Sequence, residues 1–548
     1  MRNFIISLKK NITKYFNLKN LIIHPFLIAI YPILDLFART GFELEPQLPL
    51  RSIVFVLSLT VILLLLLYWF LRDWDRTGIL STIGIVFFYY FGSAFRGLQG
   101  KFFIGYKIFQ PLTVFILWAL LFVTLAIFIK RSKLHQKKIF TLWLNLVTII
   151  LIAQPVFYTV LILKINYQDP LHYWEANNIP QNRINLRADL PDIYYIIVDG
   201  YGREDTLSDI FNYSNHEFTM ALSDRGFYVA DQANSNYVQT ALSITSSLNL
   251  DYLSELQESG ENSKSRTILK KLISDSQIRK ILNLYNYKFI AFNTGHNLTK
   301  IEEADIYYDN FLGFNSFEEI LLSNTILFLL DDYSNNKFPF FSYKTHRSRI
   351  QFTLDRIQDI PSIEGPTFTL AHIMIPHPPF VFDKNGNPVS PDGPFNMHDA
   401  NDFPGSESNY KSGYINQLQY ANDQLLVLID TILDESESPP IIVLQGDHGS
   451  RMLLDWGSIN ESCFREASSI LNAYYLPGID SSKLYPSISP VNSFRIILNE
   501  YFSQHFPVLE DKTYFSNFSQ PYNFIDVTEK LSEDCGFIGY DPDRLEVP

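Results

Sequence analysis

Cysteine is nearly absent. Cys463 and Cys535 are the two in 548 residues, too few for a disulfide-stapled scaffold. Charge is scarce as well: 18% of residues are charged against 47% apolar, which excludes a disordered chain. Acid is scarcest in the first 165 residues, which hold 5 Asp/Glu against 18 Lys/Arg. The remainder reverses this, with 52 acidic and 26 basic residues. An acidic soluble part argues against a nucleic-acid partner, which needs cations to neutralise phosphates. A basic, apolar N-terminal part argues for a membrane. No internal repeat or low-complexity tract is present.

Five apolar stretches precede residue 165, at about 21–38, 52–71, 79–95, 109–129 and 139–163. Each approaches the roughly 20 residues that span a bilayer, so residues 1–165 are expected to form a transmembrane domain of five helices. Asp35, one turn before Arg39, is an intramembrane acid or a residue reaching the interface. The segments before the first span, between spans two and three, and between spans four and five carry twelve Lys/Arg against five in the alternate loops. Excess positive charge marks the cytoplasmic side. A multi-pass protein of the cell (inner or plasma) membrane is therefore expected, with a cytoplasmic N-terminus and everything after Lys164 outside. Pro25 and Pro32 in the first stretch, and the spans after it, argue against a cleaved signal peptide. In an oxidising space Cys463 and Cys535 either pair or remain two buried thiols.

Residues 166–190 lack periodicity and read as a juxtamembrane linker. From 191 to 548 short apolar runs alternate with helical stretches. The runs are Ile193–Val198, Phe289–Phe292, Phe368–Met374, Ile441–Leu444 and Ala473–Leu476. Helices are expected over Ser263–Leu284, Ser348–Ile357 and Tyr414–Leu433, the last with Leu418, Ala421, Leu425, Leu428, Ile429 and Ile432 at helical spacing. This alternation predicts an α/β domain with a mainly parallel central sheet, whose sites form beyond the carboxyl ends of strands.

Four segments place chemistry there. The first apolar run ends in Asp199-Gly-Tyr-Gly-Arg203. The fourth ends in Asp447-His448-Gly449-Ser450, adjacent oxygen and nitrogen donors for a divalent cation. The third contains His372, and His377 follows it beside prolines. The hydroxyl-rich Ser235–Ser247 contains Thr240 and Ser243, either as helix caps or as a nucleophile at a helix N-terminus, where backbone N–H groups favour an anionic substrate.

Together these segments resemble the alkaline phosphatase superfamily, above all its sulfatase-like membrane members, the lipoteichoic acid synthases and phosphoethanolamine transferases. Those families also place five transmembrane helices before an extracytoplasmic α/β domain. The resemblance implies that Asp199, Asp447 and His448 hold one divalent metal ion (zinc or manganese). It implies that Thr240 is a nucleophile that also contacts the metal, and that His377 faces the phosphate or leaving group. It extends less directly to His372 as a second substrate contact. Arg203, Asp205, Asn236 and Arg451 are polar neighbours, with Arg203 and Asn236 taken as substrate-binding candidates. Thr240-Ala-Leu-Ser243-Ile244 lies where sulfatases carry C-x-P-S-R. Its departures at Thr240 and Ile244 argue against sulfate-ester hydrolysis. Asp199 replaces the Glu common in the transferases, and a complete second set of metal ligands is lacking.

The implied reaction moves a phosphoglycerol or phosphoethanolamine group from a membrane phospholipid to a glycan or lipid-linked sugar acceptor, through phospho-Thr240. Two alternatives stand beside it: a phosphodiesterase or sulfatase-like hydrolase on the same site, and a non-catalytic membrane protein that binds or assembles glycans.

Overall fold

The computed structural model describes residues 21–40, 48–98, 111–132, 137–168, 190–260, 263–309, 314, 316–333, 342–391, 395–397, 403 and 405–536. The linker expected at 166–190 lies almost wholly outside the described residues, as do the basic residues before position 21. The chain forms two compact units. One comprises Met1–Gln168, Gly313–Phe341 and Asp392–Pro394; the other comprises Asp169–Leu312, Ser342–Pro391 and Phe395–Pro548.

The first unit is helical: His24–Thr40, Leu48–Leu71, Trp74–Tyr89, Phe91–Leu98, Pro111–Arg131 and Lys137–Gln168. Among the described residues three helices, not the expected five, are long and apolar enough to cross a membrane: Pro49–Leu71, Leu112–Arg131 and Lys138–Lys164. The other two apolar stretches fold as helices of 17 and 16 residues. At about 1.5 Å per residue these reach roughly 25 Å, short of a hydrocarbon core of roughly 30 Å. The stretch at 79–95 does not continue as one helix, because Tyr90 separates Trp74–Tyr89 from Phe91–Leu98. The long helices expose apolar side chains such as Phe55, Phe70, Phe128 and Ile150, as lipid-facing surfaces do. Asp35 pairs with Arg39 at 2.9 Å.

Residues 313–341, which the sequence analysis counted with the α/β domain, group with these helices. The helix Ser316–Asn324 buries Phe317 and Leu321 among Ile33, Phe37, Ile85 and Tyr89. Arg51 Nε donates to Glu318 Oε1 at 2.7 Å. Ile326, Phe328 and Leu329 pack on Phe91, Phe95 and Val114. A Cβ at Gly92 would come within 2.3 Å of the Ser323 carbonyl oxygen, so only glycine allows this approach.

The second unit is built on a seven-stranded sheet in the order β2-β7-β6-β1-β5-β3-β4. The strands are β1 (Ile193–Val198), β2 (Tyr228–Val229), β3 (Lys288–Phe292), β4 (Ile306–Tyr308), β5 (Thr367–Ile373), β6 (Ile441–Gln445) and β7 (Asn472–Tyr475). β1 pairs in parallel with β5 and β6, and β3 in parallel with β4 and β5; β7 is antiparallel to β6 and to β2. The sheet is thus mainly parallel. Its faces are covered separately. Ile193, Tyr195 and Ile197 enter one core, and Tyr194, Ile196 and Val198 enter the other. Burial on both faces is why the central strands read as unbroken apolar runs.

The helix expected over Ser263–Leu284 is two, Thr267–Ser274 and Gln277–Asn283. Asp275 closes the first, its N–H donating to Lys271 O, and Ser276 caps the second, its side chain accepting from Arg279 N. The helix Glu407–Glu435 starts earlier than its apolar spacing suggests, because Ser406 and Asn409 form a reciprocal capping box. Cys463 and Cys535 are joined in a disulfide across 72 residues.

Candidate active site

Three neighbouring parallel strands deliver the site. Asp199 follows β1, His372 lies near the end of β5 opposite Ile197, and Asp447 and His448 follow β6. Asp199 N donates to Ile373 O at 3.0 Å, and Gly200 N donates to Asp447 Oδ1 at 3.0 Å. The turn after β1 therefore grips the turn after β6. Gly200 sits at φ +72°, where a side chain would be strained. Thr240 opens the buried helix Thr240–Asn249. Its hydroxyl accordingly sits at the positive end of the helix dipole.

These residues converge on one nitrogen. His448 Nδ1 donates to Gly449 O at 2.7 Å, which turns Nε2 inward. Around Nε2 lie Thr240 Oγ1 at 3.1 Å, Asp199 Oδ1 at 3.2 Å and Asp447 Oδ2 at 3.3 Å. All four side chains are nine-tenths or more buried. His372 Nε2 meets the other Asp199 oxygen at 3.0 Å, while its Nδ1 faces Thr299 Oγ1 at 3.0 Å. Thr299 and its neighbour His296, whose ring is 5.4 Å from that of His372, escaped the sequence analysis. The available signal was position: both follow β3, at the same edge of the sheet.

The electrostatics fit this crowding. Burial alone would raise the Asp199 carboxyl. The charge of His377 and hydrogen bonds from His372 and His448 outweigh it, holding Asp199 well below the usual carboxylate range. Burial and Arg451 push His448 down, but Asp447 and Asp199 pull it above its ordinary value. Burial lowers His296 to about 3.

The donor set suits a divalent cation. Asp199 Oδ1 and Asp447 Oδ2 are buried with no hydrogen bond of good geometry; His448 Nε2 faces both, at 3.2 and 3.3 Å, and one N–H cannot satisfy two carboxylates. Two carboxylate oxygens left this way need positive charge between them. Ligands about 2.0–2.1 Å from a tetrahedral ion stand roughly 3.4 Å apart, close to the spacings around His448 Nε2. Asp199, Asp447 and His372 also offer ligand atoms within 4.8 Å of one another. His372, sharing the Asp199 carboxylate, can thus serve as a ligand or orient one.

The remaining candidates are placed differently. His377 N donates to Asp199 O at 3.1 Å, its Nδ1 meets Pro378 O, and its ring lies 6.2 Å from that of His448. Arg203 is forked onto Asp205 at 2.7 and 2.9 Å and donates to Ala233 O. Asn236 ties Lys512 O at 2.9 Å to Val491 N at 2.8 Å. Both of these side chains hold loops together and lie outside the donor cluster.

Gly449 packs against the helix Phe464–Ser468; a Cβ there would meet Glu466 O at 2.0 Å. Gly449→Ala is expected to destabilise the second unit by about 3 kcal/mol, the scale of an overpacked core, and to displace His448. Thermal unfolding together with metal content checks this.

Solved structures similar to this chain include phosphoethanolamine transferases and a putative sulfatase. Among them are the C-terminal periplasmic domain of EcEptC from Escherichia coli in complex with Zn (13% identity, 64% of this chain and 96% of that one, TM-score 0.40). Also similar is the integral membrane protein lipooligosaccharide phosphoethanolamine transferase A from Neisseria meningitidis (13% identity, 88% and 95%, TM-score 0.32). A third is a putative sulfatase from Bacteroides thetaiotaomicron (14% identity, 60% and 74%, TM-score 0.35). No family model and no curated protein matches the chain.

Proposed function

We propose that the protein is a membrane-anchored, metal-dependent transferase. It moves a phosphoglycerol or phosphoethanolamine group from a phospholipid to an extracytoplasmic glycan or lipid-linked sugar. The observation that carries this reading is the convergence of Thr240 Oγ1, Asp199 Oδ1 and Asp447 Oδ2 on His448 Nε2. A hydroxyl has no structural need of two buried carboxylate oxygens; as a nucleophile beside a cation site it has a use for them.

Asp199, Asp447 and His448 would hold the cation, and the mixed oxygen and nitrogen donors favour zinc or manganese. Such an ion lowers the pKa of a nearby hydroxyl and neutralises phosphoryl charge. The helix N-terminus at Thr240 adds its dipole. Thr240 Oγ1 attacks phosphorus, the bond to the diacylglycerol oxygen breaks, and the Thr240 proton ends on that oxygen. An acceptor hydroxyl then takes the group from phospho-Thr240. Three or five crossings, both odd numbers, put residues after Lys164 on the side opposite the basic N-terminal segment. The positive charge of that segment favours the cytoplasm. A membrane anchor raises the effective concentration of lipid donors.

Mass spectrometry of full-length protein from native membranes tests the reading. A phospho-substituent on Thr240 is expected, and its added mass names the donor head group. Diacylglycerol release that depends on a glycan acceptor identifies a transferase; release without one identifies a hydrolase. An unmodified Thr240 in protein that elemental analysis finds free of metal would overturn the proposal.

A further inference from the structure

Arg451 is buried, 4% exposed, although it carries a full charge four residues after Asp447. Its backbone lies at φ 57°, a left-handed conformation that a non-glycine residue keeps only when its surroundings impose it. Glu466 imposes it. The Glu466 carboxylate accepts from Ser450 Oγ, from Met452 N at 2.7 Å and from Leu453 N at 3.3 Å, clamping both sides of Arg451.

The guanidinium is thereby aimed. Its Nη1 donates to Val238 O at 2.8 Å, two residues before the nucleophile. Its Nη2 lies 3.5 Å from His377 Nε2, and its carbon stands 5.5 Å from the Trp456 ring. His377 Nδ1 meets Pro378 O, which leaves its Nε2 facing Arg451. Arg451 therefore stands beside the histidine that the resemblance turns toward the phosphate or leaving group. A guanidinium is always charged, and its planar fork matches phosphoryl oxygens.

We propose that Arg451 binds the non-bridging oxygens of the phosphoryl group that Thr240 attacks, which makes it a catalytic residue and fits the site to anionic phosphodiesters rather than neutral esters. The inference rests on the phosphoryl-transfer reading above. Through the step Arg451 keeps its protons and only donates hydrogen bonds. The bond from phosphorus to Thr240 Oγ1 forms, and the bond to the diacylglycerol oxygen breaks.

The test uses full-length, metal-loaded protein and inorganic orthovanadate, a mimic of the five-coordinate phosphorus. Binding is measured by calorimetry for the parent, Arg451→Gln and Arg451→Lys. Arg451→Gln is expected to bind orthovanadate roughly a hundredfold more weakly, the scale of losing one oxyanion donor. Its metal content and unfolding temperature should match the parent, and kcat for diacylglycerol release should fall more than KM changes. A purely structural arginine would leave orthovanadate affinity alone, and parent-like binding by folded, metal-loaded Arg451→Gln overturns the inference while sparing the transferase reading. Should Arg451→Gln not fold, Arg451→Lys decides: it keeps the charge without the fork, so roughly tenfold weaker binding is expected and unchanged binding overturns the inference. If the metal-loaded parent itself ignores orthovanadate, both readings fall together.

Discussion

Replacing Thr240 by alanine is expected to lower diacylglycerol release on the order of a million-fold, the scale seen when a covalent catalyst loses its nucleophile. The fold should survive. The side chain loses a hydroxyl whose partner is His448 Nε2 at 3.1 Å, and the methyl group that remains stands at a helix start where alanine is well tolerated. Unfolding temperature and metal content should therefore stay near those of the parent. Because Asp199, Asp447 and His448 are untouched, the comparison separates bond making from cation binding. A variant with near-normal turnover would show that another group attacks phosphorus.

The second large effect concerns the cation. Asp447→Asn keeps the shape of the side chain and the contact from Gly200 N, which meets Oδ1 at 3.0 Å. It removes one of the two negative charges facing His448. Loss of an anionic ligand should cost more than the 10- to 100-fold in metal affinity typical of an outer partner, so roughly a thousandfold is expected. Elemental analysis after dialysis reads occupancy, and added metal should restore part of the activity. Chelation of the parent should mimic the substitution. Parent-like occupancy in Asp447→Asn would remove that carboxylate from the donor set.

The parts of the fold legible in the sequence are those with a strong local cause. β1, β3, β5, β6 and β7 stand within a residue or two of their apolar runs, because strands buried on both faces leave no polar alternation to blur them. β2 and β4, of two and three residues, are too short to produce a pattern. Hydropathy counted five spans because it registers composition. It is blind to Tyr90 parting two helices and to a first helix that begins only at His24. The excursion at 313–341 was hidden for a related reason: Phe317 and Leu321 look like any core residues until their partners are known.

At the candidate site, Asp199, Asp447 and His448 were visible as polar residues breaking off apolar runs, and Thr240 as a hydroxyl before a helix. Arg203 and Asn236 show the limit of proximity in sequence, since both spend their hydrogen bonds on loops. Arg451 shows the reverse. Its importance comes from Glu466, fifteen residues away, which no local pattern joins to it.

The excursion at 313–341 bears on any attempt to isolate the α/β half of the chain. A fragment cut after residue 165 would still contain Phe317, Leu321, Ile326, Phe328 and Leu329, stripped of the helices that cover them. Glu318 would lose its Arg51. Such a fragment bares a greasy stripe that invites self-association in water. Excising the loop as well, or keeping the whole polypeptide in detergent, is the practical route to a well-behaved sample.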